Sequence, residues 1–311
     1  MISRSTLIGA LVVVELAIVG SAVKAIAGDG GSTPNALGLN GDFGAFHGRA
    51  SMTPLDRTVS SGTAPVVVVD VHDVDVVVQA GAASGVHVVE TVQRSGYVSG
   101  AFAPITVNPT ADGVRVAANG DSEIHVMIGH VSRQLKIVVP PAARVEVISG
   151  AQIDASGLRA KFIAHVEDGA IHVSDQRGDV DVSTGSGRIY LTDVQAADVA
   201  AGTSEGRLYF NRVGADRIDA HTNFGRIYAT DLRAVDGALT TKEGRVSVSL
   251  AGNSDAVVEA SVTDGNDIHT SGLTATDNGA NKRSVKLGSG RGRFEVTSDD
   301  GSITLTQGAN V

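Results

Sequence analysis

Apolar and polar positions alternate in short runs that repeat every 18 or 19 residues through the middle of the chain. Each unit contains a glycine, and in most units the residues two and four positions after it are apolar. Because the side chains of a β-strand alternate between its two faces, each unit predicts a strand with one inward row. A period this short predicts units that bury their apolar faces only by stacking on their neighbours. The repeated glycines are Gly150, Gly169, Gly187, Gly206, Gly225 and Gly244.

A second apolar run precedes each glycine, so every unit predicts two strands. Equivalent apolar residues, such as Ile189, Leu208 and Ile227, are expected to lie above one another in the core. A threonine recurs three residues before the glycine, and we expect the hydroxyls of this row to hydrogen-bond along the stack. The threonines are Thr184, Thr203, Thr222 and Thr241. The predicted fold is all-β, a single-stranded β-helix-like β-solenoid with coils of about 19 residues spaced about 4.8 Å apart.

The chain divides into four segments by composition and pattern. Residues 1–27 form a signal anchor or signal peptide, and residues 28–64, rich in Gly, Ser, Asn, Thr and Pro, form a flexible linker. Residues 65–143 form irregular N-terminal β-rungs that start the stack, and residues 144–307 form the regular β-solenoid. The unit at residues 301–305 closes the chain.

The N-terminal segment predicts export. An apolar run from Leu7 to Val23 follows Arg4 and is interrupted by Glu15. As a helix, its 17 residues span about 26 Å, close to the hydrocarbon thickness of about 30 Å. A charged Glu15 at the centre costs about 2.5–3.5 kcal/mol unless protonation or a membrane partner relieves it. One interpretation is a single-pass anchor in the cytoplasmic membrane with an extracytoplasmic C-terminal domain. The other is a signal peptide cut after Ala27, which makes the remainder periplasmic or secreted.

The composition narrows the function classes. The chain has no cysteine, which excludes disulfides and thiolate metal sites, and its net charge of −9 argues against a nucleic-acid partner for the surface as a whole. Among the nine histidines, His125 and His130 could meet across a turn, but no third ligand is evident, so no metal and no cofactor is predicted. No catalytic signature is present, so no catalytic residue is predicted.

Two further strands complete a resemblance to a known family. Residues 69–76 read VDVHDVDV, residues 135–140 read LKIVVP, and the repeats that follow have the form Gly-x-Ile-x-Leu. Over about residues 64–307 this combination resembles the bacterial "putative adhesin" family. The resemblance implies an exported β-solenoid domain of unknown function. Because that family has no motif of catalytic residues, the resemblance implies none here.

The outward positions of the repeats carry the candidate chemistry. One residue after the glycine, four consecutive units have an arginine; three residues after it, four consecutive units have a ring. The arginine column is Arg188, Arg207, Arg226 and Arg245, and the tyrosine column is His172, Tyr190, Tyr209 and Tyr228. In one interpretation the columns are structural, and acids at Glu205, Glu243, Asp193 and Asp231 offset the arginine charge. In the other they form a ligand face, where tyrosines stack on sugar rings or peptide and arginines hold carboxylate or phosphate.

These observations favour a non-enzymatic, envelope-associated β-solenoid with a structural, adhesive or ligand-presenting role. Its expected partners are the membrane, through the N-terminal helix, and a cell-wall glycan, a lipid or a protein. Anionic glycans or lipid headgroups suit the arginine and tyrosine columns. Two alternatives stay open: an exported polysaccharide-active β-helix enzyme, and an accessory subunit of an envelope-stress sensing system.

Overall fold

The computed structural model describes residues 55–81, 84–120, 122–264, 267–279 and 281–308, and over these residues the chain is all-β with no helix. The predicted fold class is therefore confirmed at the level of an all-β, β-solenoid-like architecture. None of the described residues belongs to a helix that could span a membrane. The predicted N-terminal helix, with Leu7, Glu15 and Val23, lies outside the described residues.

Over the described residues, nineteen strands form one continuous sheet that winds around a single core. The longest strand, β12, extends through several successive coils. The strands are β1 Asp56–Val59, β2 Val66–Val71, β3 Asp75–Ala80, β4 Val86–Ala101, β5 Ile105–Pro109, β6 Gly113–Ala118, β7 Glu123–Val139, β8 Arg144–Ser149, β9 Ile153–Ser156, β10 Phe162–Asp168, β11 Ile171–Gln176, β12 Val180–Glu243, β13 Val246–Leu250, β14 Ala256–Val262, β15 Ile268–Ser271, β16 Ala275–Asp277, β17 Lys282–Lys286, β18 Gly292–Asp300 and β19 Ile303–Gln307.

Successive coils stack in parallel and in the register that the repeat predicts. Phe162 of β10 lies opposite Val180 of β12, and Ile171 of β11 lies opposite Ile189, the equivalent residue of the next coil. All four side chains are buried in the same core. Burial of these inward rows is the main stabilising contribution, at about 25 cal/mol per Å² of apolar surface.

The repeated glycine is required because neighbouring coils approach too closely for a side chain. A Cβ built on Gly206 would lie 1.7 Å from the carbonyl oxygen of Gly187, and one built on Gly225 would lie 1.6 Å from that of Gly206. The same approach recurs at Gly244, above Gly225, and at Gly301, above Gly244. The glycine period therefore marks a column of backbone-to-backbone contacts at one corner of the solenoid.

Three of the four buried threonines hydrogen-bond along the stack, to backbone carbonyls, whereas the Thr222 hydroxyl has no partner among the described residues. Thr184 donates to the Gly169 carbonyl at 3.2 Å, and Thr241 donates to the Gly225 carbonyl at 3.3 Å. These two bonds join a threonine to the turn glycine of the preceding coil. Since buried polar groups are costly without partners, these bonds help to fix the spacing of the coils.

The order of coils in the stack differs from their order in the chain at both ends. At the N-terminal end, β2 lies between β6 and β8, and β3 lies between β7 and β9. At the C-terminal end, β18 lies between β12 and β14, and β19 lies between β13 and β15. The unit that closes the chain therefore does not close the stack. The end coils of the stack are therefore β6 with β7 at one end and β14 with β15 at the other. The coil formed by β2 and β3 and the coil formed by β18 and β19 each lie between two other coils.

Antiparallel strands cover the open ends of the stack. Strand β5 pairs with β6, β4 pairs with β7, and β17 pairs with β14. Strand β1 pairs with β4 and lies within residues 28–64, so the last part of the expected linker is an ordered strand. Covering strands of this kind protect a sheet edge from pairing with another chain.

The β4–β7 pair forms a ribbon that doubles back on itself. Phe102, just beyond the end of β4, lies 4.8 Å below the guanidinium of Arg133, which pairs opposite Val92. A straight ladder would separate Phe102 from Val92 by about 33 Å. Tyr97 and Met127, 76% and 84% exposed, lie near the bend, and Arg133 forms a buried 2.6 Å ion pair with Glu90 inside it.

Candidate functional site

The tyrosine column lies on the outer surface of the side of the solenoid that is formed by β9, β11, β13 and the equivalent segments of β12. Each ring stands three residues after its glycine, between two inward residues, so strand alternation directs it outward. The ring centroids of Tyr190 and Tyr209 are 4.7 Å apart with an interplanar angle of 4°, and those of Tyr209 and Tyr228 are 5.3 Å apart at 11°. His172 begins the column, 4.7 Å from Tyr190 but tilted by 45°. The in-register columns expected from the sequence are therefore present.

The arginine column runs beside the tyrosines, and all four side chains are exposed. Nη1 of Arg226 donates to the Tyr228 hydroxyl at 3.3 Å. A hydrogen bond with Tyr209 raises the pKa of the Arg207 guanidinium above its ordinary value. Arg245, in the last coil of the column, donates through Nε to Ser302 Oγ at 3.1 Å. Three of the four guanidiniums are thus held by neutral hydroxyls.

The acids that were expected to offset this charge do not do so. Asp193 accepts two hydrogen bonds from Arg212, at 2.6 and 2.7 Å, and these hold the pKa of its carboxyl below the usual range. Over the part of the chain that the structure describes, no member of the arginine column forms an ion pair. Like charges on coils spaced about 4.8 Å apart repel one another unless an anion lies between them.

Stacking within the column limits what the tyrosines can offer a ligand. The ring of Tyr209 is covered on both faces, by Tyr190 and by Tyr228. The inner tyrosines therefore present only an edge and a hydroxyl, and a sugar ring cannot stack on them. The interpretation in which the tyrosines stack on sugar rings or peptide therefore does not apply to the ring of Tyr209. Their stacking stabilises the sheet by about 0.5–1.5 kcal/mol per pair.

Sequence reasoning missed Phe224, which lies just before Gly225 and next to the arginine column. Its ring is 52% exposed, and it stands where neighbouring coils carry Glu205 and Glu243. A single exposed aromatic residue in an acidic row was the available signal. It adds one apolar ring to the rim of a charged face.

The coil corner after the tyrosine column has a distinct electrostatic pattern. One non-glycine residue per coil adopts a positive φ there, and these residues are Asp175, Asp193, Arg212 and Asp231. Aspartate tolerates this conformation better than most residues, whereas arginine does not. Arg212 is stabilised there by its bidentate ion pair with Asp193 and by the nearby negative charge of Asp231. Its positive charge separates the aspartates of this row, which would otherwise repel one another.

The described residues contain no group of three or more His, Asp or Glu side chains that could hold a metal ion. The glycine-rich loop at residues 288–292 binds the carboxylate of Asp255, a residue of the chain itself. Asp255 accepts hydrogen bonds from the Gly290 amide at 2.8 Å and the Arg291 guanidinium at 2.6 Å.

Comparison with known proteins identifies the family. The model of the Toastrack DUF4097 family matches residues 66–306, which is most of the chain. The chain belongs to this family. No curated protein matches it in sequence. The Toastrack match and the solved structures below agree with the resemblance to putative adhesins.

Solved structures are similar to this chain at low sequence identity. A putative adhesin from Parabacteroides distasonis is 14% identical, with a TM-score of 0.50, over 83% of this chain and 98% of that one. A putative adhesin from Parabacteroides merdae is 13% identical, with a TM-score of 0.49, over 82% and 95%. A putative lipid binding protein from P. distasonis is 12% identical, with a TM-score of 0.40, over 83% and 97%. At these identities the likeness concerns the fold alone.

Proposed function

We propose that the chain is a non-enzymatic, envelope-associated β-solenoid that presents its arginine column to an anionic ligand. The ligand chemistry is a carboxylate or phosphate, carried by a cell-wall glycan or by a lipid headgroup. The protein is a rigid scaffold in this proposal, with a structural or adhesive role. The name of the similar P. distasonis structure, a putative adhesin, is in keeping with such a role.

The observation that carries the proposal is the unpaired positive charge on one face of an acidic chain. The chain has a net charge of −9, yet four arginines line up on consecutive coils without an ion pair among the described residues. Their neighbours are hydroxyls, which hold the guanidiniums in place and leave their charge in full. Guanidinium groups bind carboxylate and phosphate through paired N–H donors.

Location is a second part of the proposal. The apolar run at residues 7–23 would anchor the chain in the cytoplasmic membrane and leave the solenoid on the outer side, or would be removed after export. Either route places the arginine column outside the cytoplasm. Protease added to intact spheroplasts should digest the solenoid, and a solenoid that is protected until lysis would contradict export.

The binding proposal is tested with a double variant and a matched control. Arg207→Ala with Arg226→Ala removes two adjacent guanidiniums, and each charge-assisted hydrogen bond contributes about 1.5–3 kcal/mol. We therefore expect at least a hundredfold loss of affinity for an acidic oligosaccharide or for anionic vesicles, whichever the wild type binds. The control pairs Arg217→Ala with Arg159→Ala, two exposed arginines outside the column, for the same loss of charge.

The outcomes separate the ligand sources and the alternatives. Binding to a galacturonate oligosaccharide but not to phosphatidylglycerol vesicles identifies a glycan, and the reverse identifies a lipid headgroup. Equal loss in the column and control variants would show that only total charge matters and would remove the ligand face. Release of new reducing ends from an acidic polysaccharide would overturn the non-enzymatic assignment.

A further inference from the structure

The tyrosine column ends abruptly, and the positions beyond it are small. The register places Ser247 next to Tyr228, then Thr304, and then His269. Three coil spacings of about 4.8 Å separate Tyr228 from His269. Ser247 and Thr304 therefore lie between the rings of Tyr228 and His269, and we call the groove formed by these four residues the trough.

Tyr228 is the one tyrosine of the column with an uncovered face. Tyr209 stacks on its other side at 5.3 Å. On the side of Ser247, the part of the chain that the structure describes places neither a ring nor a guanidinium over it. Stacked rings have centroids 4.5–7 Å apart, which is close to one coil spacing. A flat ring can therefore occupy the place where the next tyrosine of the column would lie.

The trough has a cation beside it and hydroxyls beneath it. Arg245 stands two residues before Ser247 on the same face, and its Nε is held by Ser302 at 3.1 Å. The four N–H donors of its two terminal nitrogens are left to face an anion. Ser247 and Thr304 have hydroxyls that can donate to or accept from sugar hydroxyls. At the far end, Nε2 of His269 lies 4.0 Å from the Asp267 carboxylate.

We propose that the trough is the primary subsite for an acidic sugar, whose ring stacks on Tyr228 and whose carboxylate binds Arg245. This inference rests on the proposed function, because it assumes that the arginine column attracts an anionic ligand. It adds a position, a ring-binding element and a sugar class. The preceding arginines then contact the following residues of an acidic glycan that runs along the solenoid axis.

The test fills the trough without disturbing the coils. In Ser247→Tyr the column gains one more ring in the place assigned to the sugar, while Ser247→Ala leaves the space open. With a galacturonic acid tetrasaccharide as probe, we expect Ser247→Tyr to lose at least thirtyfold in affinity, whereas Ser247→Ala, which removes one hydroxyl from the floor but leaves the space open, should lose only about threefold, in keeping with one hydrogen bond. The melting temperature of Ser247→Tyr should equal or exceed that of wild type, since the added ring stacks on Tyr228. The matching neutral galactose oligosaccharide should bind all three proteins much more weakly.

Failure of this inference differs from failure of the proposed function. If wild type binds the tetrasaccharide and Ser247→Tyr binds it equally well, the trough is not the subsite while the arginine column can still bind. If wild type does not bind the tetrasaccharide, the trough is not a subsite for acidic sugars and the arginine column does not bind acidic glycans. Should Ser247→Tyr fail to fold, Tyr228→Leu gives the same decision, because it keeps apolar volume and removes the stacking ring. Unchanged affinity in a folded Tyr228→Leu protein would overturn the assignment.

Discussion

Replacing Gly225 by alanine should destabilise the solenoid strongly, although it adds only one methyl group. The new Cβ would lie 1.6 Å from the carbonyl oxygen of Gly206. Cβ atoms essentially never come within 3.0 Å of a heavy atom outside their own residue and its chain neighbours. The two coils must therefore separate locally by about 1.4 Å, the difference of these two distances. A backbone hydrogen bond of about 2.9 Å would lengthen to about 4.3 Å and break.

The cost follows from the bonds that this separation breaks. Two or three hydrogen bonds beside the glycine contribute about 1 kcal/mol each, and overpacking adds about 1–3 kcal/mol. We expect Gly225→Ala to lower the free energy of unfolding by about 3–6 kcal/mol. The matched control is Gly62→Ala, because a Cβ on Gly62 meets no atom within 4 Å. That change should stay within about 0.5 kcal/mol of wild type.

Urea unfolding followed by far-ultraviolet circular dichroism measures both variants. Hydrogen exchange adds a local measurement, because coils interact mainly with their neighbours and the loss of protection should centre on the coils around Gly206 and Gly225. Equal urea midpoints for Gly225→Ala and Gly62→Ala would refute the close approach of the coils. Uniform loss of protection over the whole chain would refute its local origin.

Three further predictions concern the ends of the stack. A Ser247→Cys/Thr304→Cys protein should form a disulfide on mild oxidation, because β13 pairs with β19, whereas stacking in chain order would instead cross-link Ser247→Cys/His269→Cys. Hydrogen bonds from Arg291 and Ser289 hold the pKa of Asp255 well below its usual value. The stabilising effect of the ionised Asp255 is therefore present above about pH 4 and is lost as the pH falls further. Between pH 7 and pH 3, the melting temperature of wild type should fall more than that of Asp255→Asn. Arg133→Ala leaves a buried carboxylate without its cation and should cost about 3–5 kcal/mol in urea unfolding, and a cost below 1 kcal/mol would show that the pair is solvated.

The regular coils could be predicted from the sequence because one local rule repeats in them. Each glycine carries the same apolar positions after it, and side-chain alternation then places Ile189, Leu208 and Ile227 in the core. The same rule places Tyr190 and Tyr209 on the outer face. Nothing beyond the period and the two-residue alternation is needed for these elements.

The ends of the stack could not be predicted because strand pairing between coils is long-range. Strands β14 and β18 carry similar alternating apolar residues, so the pattern alone does not say which of them lies next to β12. The glycines give a clue in retrospect. Gly301 packs closely above Gly244, as Gly244 does above Gly225, which continues the glycine column into the inserted coil.

The candidate face was predictable in its columns but not in its charge balance or its open end. Asp193 was a reasonable partner for the arginine column until the structure paired it with Arg212, whose positive φ no sequence rule anticipates. The uncovered face of Tyr228 depends on Ser247 being its neighbour across the coils, which requires the register. Such features arise from three-dimensional contacts between coils and have no local pattern.

The most direct test of the ligand face is the fluorine NMR spectrum of protein labelled with 3-fluorotyrosine, titrated with a galacturonic acid tetrasaccharide. The chain has four tyrosines, of which Tyr97 lies on the β4–β7 ribbon and serves as an internal control. The Tyr228 resonance should move most, those of Tyr190 and Tyr209 less, and that of Tyr97 not at all. Four unchanged resonances at a saturating concentration, or a shift confined to Tyr97, would contradict binding at the arginine and tyrosine columns.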